Sequence, residues 1–192
     1  MTTSELKTRL EAVHTQVASG VRDYAFALAV SANTMIVNRI TQTGKDHKGQ
    51  SFGNYSDNKL PLFFFEARVL NKAGFERLKK QRKKDEDPKK RSSASYAEFR
   101  ISQGLENSYK NFEFSGQMFT GISYVVTQFG ENHLITIAPT TDYAKKVLGY
   151  VVWRHGKILL TSEEEQQILQ KALTQWVIKI FENNGLTGQT NT

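Results

Sequence analysis

Between residues 4 and 42 the apolar side chains return every three or four positions, at Leu6, Leu10, Val13, Val17, Val21, Tyr24, Leu28, Met35, Ile36 and Ile40. That period belongs to an amphipathic helix. No Pro interrupts it, Ser4 is a candidate N-cap and Gly44 supplies the stop. At 1.5 Å per residue such a helix is about 55 Å long, more than a small domain is wide. A chain built on it must bend it or cover it with a partner. Gly20 is the expected position for a bend, and Ala25, Ala27, Ala29, Ser31 and Ala32 would allow close packing.

The rest of the chain reads as shorter elements. Residues 63–65 are Phe-Phe-Phe, compatible with a strand or a helix start. Residues 71–91 carry helix formers and charge, residues 96–104 a short helix. Two runs rich in Tyr, Val, Ile and Thr flank Gly130-Glu131-Asn132, which predicts a hairpin over about 121–138. A short helix over 142–150 should end at Gly149. Ser162 followed by Glu165, or Thr161 by Glu164, opens a capped C-terminal helix whose apolar face holds Ile168, Leu169, Ala172, Leu173, Trp176, Val177, Ile180 and Phe181. The fold class is therefore α+β, with a long N-terminal helix, a small antiparallel β-sheet and a capped C-terminal helix. The expected organisation is a single domain over 1–185, with a basic helical arm at about 71–95 and a flexible tail over 186–192.

Composition narrows the chemistry. Cys is absent, which excludes a disulfide framework, a thiolate metal site and a cysteine nucleophile. No apolar run reaches the roughly 20 residues that span a bilayer, and the N-terminus lacks a secretory pattern, so a soluble protein without membrane partners is expected. The net charge of +7 is concentrated: residues 77–91 hold nine Lys or Arg against three Asp or Glu, a net +6. These are Arg77, Lys79, Lys80, Arg82, Lys83, Lys84, Lys89, Lys90 and Arg91. Such a run could neutralise phosphates without reading sequence. It contains no aromatics for base stacking and is broken by Asp85-Glu86-Asp87, so an acidic protein neighbour or plain solvation fits as well.

Residues 43–58, TGKDHKGQSFGNYSDN, form the most conspicuous loop. A phosphate loop needs a preceding strand and a Gly-Lys-Ser/Thr ending, neither of which is present. A calcium loop would want evenly spaced oxygen ligands and a closing Glu. A shaped connector accounts for the residues better: Asp46 bonding its own backbone, Gly44 and Gly49 turning the chain, Phe52 and Tyr55 anchoring it. The histidines His14, His47, His133 and His155 have no paired ligand spacing. Phe114-Ser115-Gly116 lacks the first glycine of a nucleophile turn. The glutamates 163–165 are explained by helix capping. No catalytic residues, metal or cofactor are expected.

Three stretches, in order, resemble the virion morphogenesis, tail-completion and head–tail connector proteins of tailed bacteriophages, the gp10-like group. The first is the N-terminal helix carrying Ile36, Arg39 and Ile40 into the loop, where Gly44, Asp46, Gly49, Phe52, Tyr55 and Ser56 follow the family pattern. The second is FEFSGQMFTGI, residues 112–122, with Phe114, Ser115, Gly116, Met118 and Ile122 matching in type ahead of the hairpin. The third is HGKILLTSEEEQQIL, residues 155–169, a loop into a capped helix. The resemblance implies a structural, non-catalytic subunit made in the bacterial host cytoplasm and carried in the virion neck or tail. It would form a homo-oligomeric ring of about six or twelve copies, against portal or adaptor ring and tail proteins. The loop residues Gly44, Asp46, Gly49, Phe52, Tyr55 and Ser56 would then contact a neighbouring subunit. The basic segment would meet an acidic partner or make non-specific DNA contact. The alternative function is a sequence-independent nucleic-acid-binding protein acting through residues 77–91.

Overall fold

The computed structural model describes residues 1–88, 91–112, 117–130 and 132–186. The fold is α+β, and the chain divides into two compact units. The first comprises Met1–Ile36, Ile122–Pro139 and Leu159–Thr192, the second Val37–Gly121 and Thr140–Ile158.

One helix, α1 (Thr3–Thr43), supplies the first unit with most of its length and the second with its last turns. Its cap is Thr2 rather than Ser4: the Glu5 amide donates to the Thr2 hydroxyl at 3.3 Å, and Glu5 Oε2 accepts from the Thr2 amide at 2.8 Å. This reciprocal pair satisfies donors that a helix start otherwise leaves open. The inward stripe within the first unit is Val13, Ala25, Ala29, Ala32 and Ile36, smaller than the sequence pattern suggested because alanines hold its centre. Gly20 does not interrupt the helix. A Cβ there would lie 3.1 Å from Trp176, so the glycine makes room for an aromatic ring.

That ring belongs to α7 (Glu163–Asn183), which opens with the Ser162–Glu165 capping box. Trp176 stacks on Tyr24 at 4.6 Å between centroids. Beyond the end of α7, Asn184 Nδ2 donates to Gln16 Oε1 and Arg9 donates to the Gly185 carbonyl. The hairpin β3 (Ile122–Phe129) and β4 (Asn132–Pro139) pairs antiparallel from Ile122–Pro139 to Phe129–Asn132. Tyr124, Val126, Ile135 and Ile137 share its half-buried face, while Val125, Phe129 and Leu134 face solvent.

In the second unit, β1 (Lys59–Pro61) pairs antiparallel with β2 (Ser93–Ser95). The short helix α2 (Phe63–Glu66) settles the triple phenylalanine as helix, with Phe65 buried. Helices α3 (Lys72–Lys83) and α4 (Tyr96–Gln103) pack with it around Phe65, Phe75, Leu78, Ala94 and Phe99. Phe65 stacks on Phe99 at 4.5 Å, and Phe75 meets the same ring edge-on at 5.8 Å. Each phenylalanine withdrawn from water contributes about 2–3 kcal/mol. The two helices approach so closely at Gly74 that a Cβ there would lie 1.7 Å from the Ser102 carbonyl oxygen. The buried Gln103 accepts from the Leu70 and Asn71 amides at 2.8 and 2.7 Å, and Asn71 in turn caps α3 through the Gly74 amide.

Among its described residues, the segment 71–95, expected as one helical arm, is helical over Lys72–Lys83 and ends in strand β2. Lys89 and Lys90 lie outside the described residues, as do Phe114, Ser115 and Gly116 and positions 187–192 of the tail. After the one-turn α5 (Gln117–Thr120), α6 (Asp142–His155) is capped by Thr141 and runs through Gly149 to Gly156. Its expected end at Gly149 was wrong: one glycine costs a helix only about 1 kcal/mol, and Val151 beyond it is buried.

Candidate functional site

The second unit holds all the residues singled out from the sequence as contacts. Its loop after α1 is a closed piece of structure. Gly44, at φ 61°, leaves α1 in the left-handed region, where a Cβ would clash with Tyr109. The Tyr109 hydroxyl donates to the Gln42 carbonyl at 2.6 Å, satisfying an acceptor the helix end exposes. Asp46 Oδ1 accepts from the Lys48 and Gln50 amides at 2.8 Å each, and the Gly49 amide returns to the Asp46 carbonyl. The Phe52 amide then donates to the Gly44 carbonyl at 2.9 Å, closing the loop. Gly49, at φ 77°, and Ser56, which accepts from the Asn58 amide, are exposed.

Both aromatics of the loop point inward. Phe52 is buried, 4.7 Å from the Phe112 ring and 5.5 Å from His155. Burial holds the imidazole pKa below its ordinary value, and the positive Lys110 and Arg154 add to this. Tyr55 lies under the Arg100 guanidinium at 4.2 Å and donates to Asn111 Oδ1 at 3.0 Å. Arg100 is itself fully buried, with Nε on the Glu106 carbonyl and Nη2 on the same Asn111 oxygen. Burial raises the Tyr55 pKa, and the Arg100 charge only partly offsets that. Residues predicted to meet a neighbour are thus engaged within the unit: Gly44, Asp46, Phe52 and Tyr55 shape and anchor the loop.

The basic segment divides by helical phase. Phe75, Leu78 and Arg82 share the inward side of α3. Arg82 bridges Asp85 at 3.2 Å and pairs with Glu98, which also takes Lys59. Partial burial pushes the Glu98 carboxyl up, but the Lys59 bond, the Ser95 amide and the Arg82 charge together hold its pKa below the ordinary value. Lys79 lies over the Phe75 ring and pairs with Glu76 and Glu66; the Glu76 bond chiefly raises its pKa. Arg91 donates to the Asp85 carbonyl at 2.9 Å. On the opposite side Arg77, Lys80 and Lys84 make one stripe, flanked by Lys83, and none of these four forms an ion pair among the described residues. A groove of about 440 Å³ runs between α3 and α4, lined by Arg77, Gln81, Arg82, Glu98, Ile101 and Ser102.

A third surface was not expected. Tyr143, Lys146, Tyr150, Trp153 and Arg154 recur every three or four positions along α6, opposite the buried Ala144, Leu148 and Val151. Tyr143 and Tyr150 are more than half exposed and Trp153 is 80% exposed. The pattern is legible in sequence only if the helix is carried past Gly149, since ending it there severs Trp153 from the tyrosines.

Charge is distributed between the units in a way no single segment reveals. The second unit's sequence holds 21 Lys and Arg against 11 Asp and Glu, a net +10, and the first holds 5 against 8, a net −3. The near-neutrality outside residues 77–91 is an average over a basic unit and a mildly acidic one. Among the described residues no group of three or more His, Asp and Glu could hold a metal ion, and no helix is long and apolar enough to cross a membrane. No family model, no curated protein and no solved structure matches the chain.

Proposed function

We propose that the chain is a structural subunit of a phage virion that assembles as a ring at the neck or tail end, between portal or adaptor and tail proteins. The reading begins from the ordered resemblance of three stretches to gp10-like connector proteins. The observation that carries it further is the free end of α1. Leu6 and Leu10 continue the heptad-like spacing that buries Val13, yet both are exposed, along an open groove with Thr3, Lys7, Glu11 and His14. A helix that leaves part of its apolar stripe uncovered is suited to repeated copies of the chain. Assembly, not chemistry, would be the activity.

Quantitative peptide mass spectrometry on purified particles, with portal protein as the internal standard, tests this. A fixed small-integer ratio to portal is expected; absence from particles would remove the assignment.

A second reading, sequence-independent nucleic-acid binding through residues 77–91, is favoured by the stripe of Arg77, Lys80 and Lys84. Binding with a steep salt dependence, lost when those three are neutralised, would support it.

A further inference from the structure

We propose that the outward face of α6 is a binding face for single-stranded nucleic acid, with Tyr143, Tyr150 and Trp153 as stacking platforms, and Lys146 and Arg154 on the helix and the exposed Lys157 just past its C-cap Gly156 as phosphate contacts. This goes beyond both readings above, since it needs neither a ring nor the basic run of α3. Three observations carry it.

The first is exposure. A monomer seldom leaves a tryptophan 80% exposed beside two half-exposed tyrosines on one helical stripe unless something covers them. Tyr150 and Trp153 lie 6.2 Å apart between ring centroids, and Tyr143 stands about 10 Å further along the axis. Rings so placed leave flat faces open to bases.

The second is the charge interleaved with them. Lys145, Lys146, Arg154 and Lys157 stand against the single acid Asp142, and Asp142 is taken by Lys145 at 3.3 Å. Lys146, Arg154 and Lys157 form no ion pair among the described residues. The α3 run has cations without aromatics; α6 has both on one face.

The third is the surrounding field. A unit of net +10 attracts a polyanion over a Debye length. Tyr, Trp and Arg are also the residues of protein hot spots, but a protein partner would leave Lys146 and Lys157 in search of acids, whereas a phosphodiester chain supplies anions at every step. Stacking, in turn, requires unpaired bases, which selects single strands over duplex.

The test is a titration of the full chain with a short oligothymidylate at low salt, read by tryptophan emission. Trp176 is stacked on Tyr24, so the exposed Trp153 is the emitter expected to respond. The expected result is quenching, weaker binding of a duplex of equal length, and a slope of log affinity on log salt of roughly −2 for three phosphate contacts. For the variants, which lack that emitter, binding is read by the anisotropy of a fluorescently labelled oligothymidylate: Trp153→Ala should weaken binding about fivefold or more and Trp153→Phe should largely retain it. Binding without quenching, equal affinity for duplex, indifference to Trp153→Ala, or no binding at low salt would each overturn the proposal. So would self-association that Trp153→Ala abolishes while nucleic-acid affinity stays unchanged.

Discussion

The loop after α1 and the helix α6 both bring aromatic rings to the second unit, and they use them in opposite ways. In the loop, Phe52 is sealed against Phe112 and His155, and Tyr55 is held between Arg100 and Asn111. On α6, Tyr143, Tyr150 and Trp153 are each more than half exposed, and Tyr150 lies against Trp153. The loop also satisfies several of its polar groups, from the Asp46 turn to the Tyr109 hydroxyl on the end of α1, although His47 Nδ1 is buried without a partner among the described residues. A segment rich in glycine, amide and charge can thus turn its aromatic rings inward, while a regular helix can leave them in water. What a surface can bind depends on which groups are left unsatisfied, not on how unusual its sequence is.

The comparison breaks most readily at Phe52. If the loop is an internal anchor, Phe52→Ala removes a buried ring that neighbouring side chains cannot replace, and about 3–5 kcal/mol of unfolding free energy should go with it. Urea unfolding followed by circular dichroism would measure the loss. A loss below about 1 kcal/mol would mean that the loop is held by its backbone bonds alone and that its aromatics are available for other uses. Tyr55→Phe asks less: it keeps the ring under Arg100 and deletes one hydroxyl that serves Asn111. Arg100 still reaches the same Asn111 oxygen, so the cost should be about 1 kcal/mol.

Phase and periodicity made much of this fold legible. The extent of α1, the hairpin and the Ser162 capping box are written in local spacing, and local spacing is what an isolated sequence preserves. The roles of individual residues were less so. Gly20 invited a bend, yet it is required by Trp176, about 150 residues away in the chain and present in no local window. Arg100 gave no sign of being buried, because the carbonyl and amide that receive it come from residues 106 and 111 in a segment without regular pattern. The aromatic face of α6 was hidden by a local rule applied too firmly at Gly149. The charge difference between the units was hidden because each is assembled from separated stretches of chain.

A pH titration sharpens the comparison from the loop side. His155 stands against Phe52 and Phe112, with Lys110 and Arg154 as the charged groups acting on it, and its pKa is lowered on folding. Between the lowered folded value and the ordinary one near 6.5, the unfolded chain binds more protons than the folded chain. Stability should therefore be full above about pH 6.5 and fall as the pH drops toward the folded value. Glu98, whose pKa is also lowered, would add a separate loss below the ordinary carboxylate range. His155→Gln should flatten the first decline and leave the second. A decline unchanged in that variant would mean that the imidazole is not packed against the loop.

The smallest expected effect is also the most discriminating. Trp153→Ala and Tyr150→Ala should change unfolding free energy by no more than about 0.5 kcal/mol each, as for surface positions without special contacts. The argument is the converse of that for Phe52. Trp153 already spends its surface on water, so truncation opens no cavity, and alanine is the better helix former. The inward residues Ala144, Leu148 and Val151 keep α6 in place. If either variant lost 2 kcal/mol or more, the rings would be part of the packing of the chain, and α6 would belong with the loop as closed structure. If both remain within the expected range, large apolar rings are being carried at no benefit to the fold, and their benefit has to come from whatever binds them.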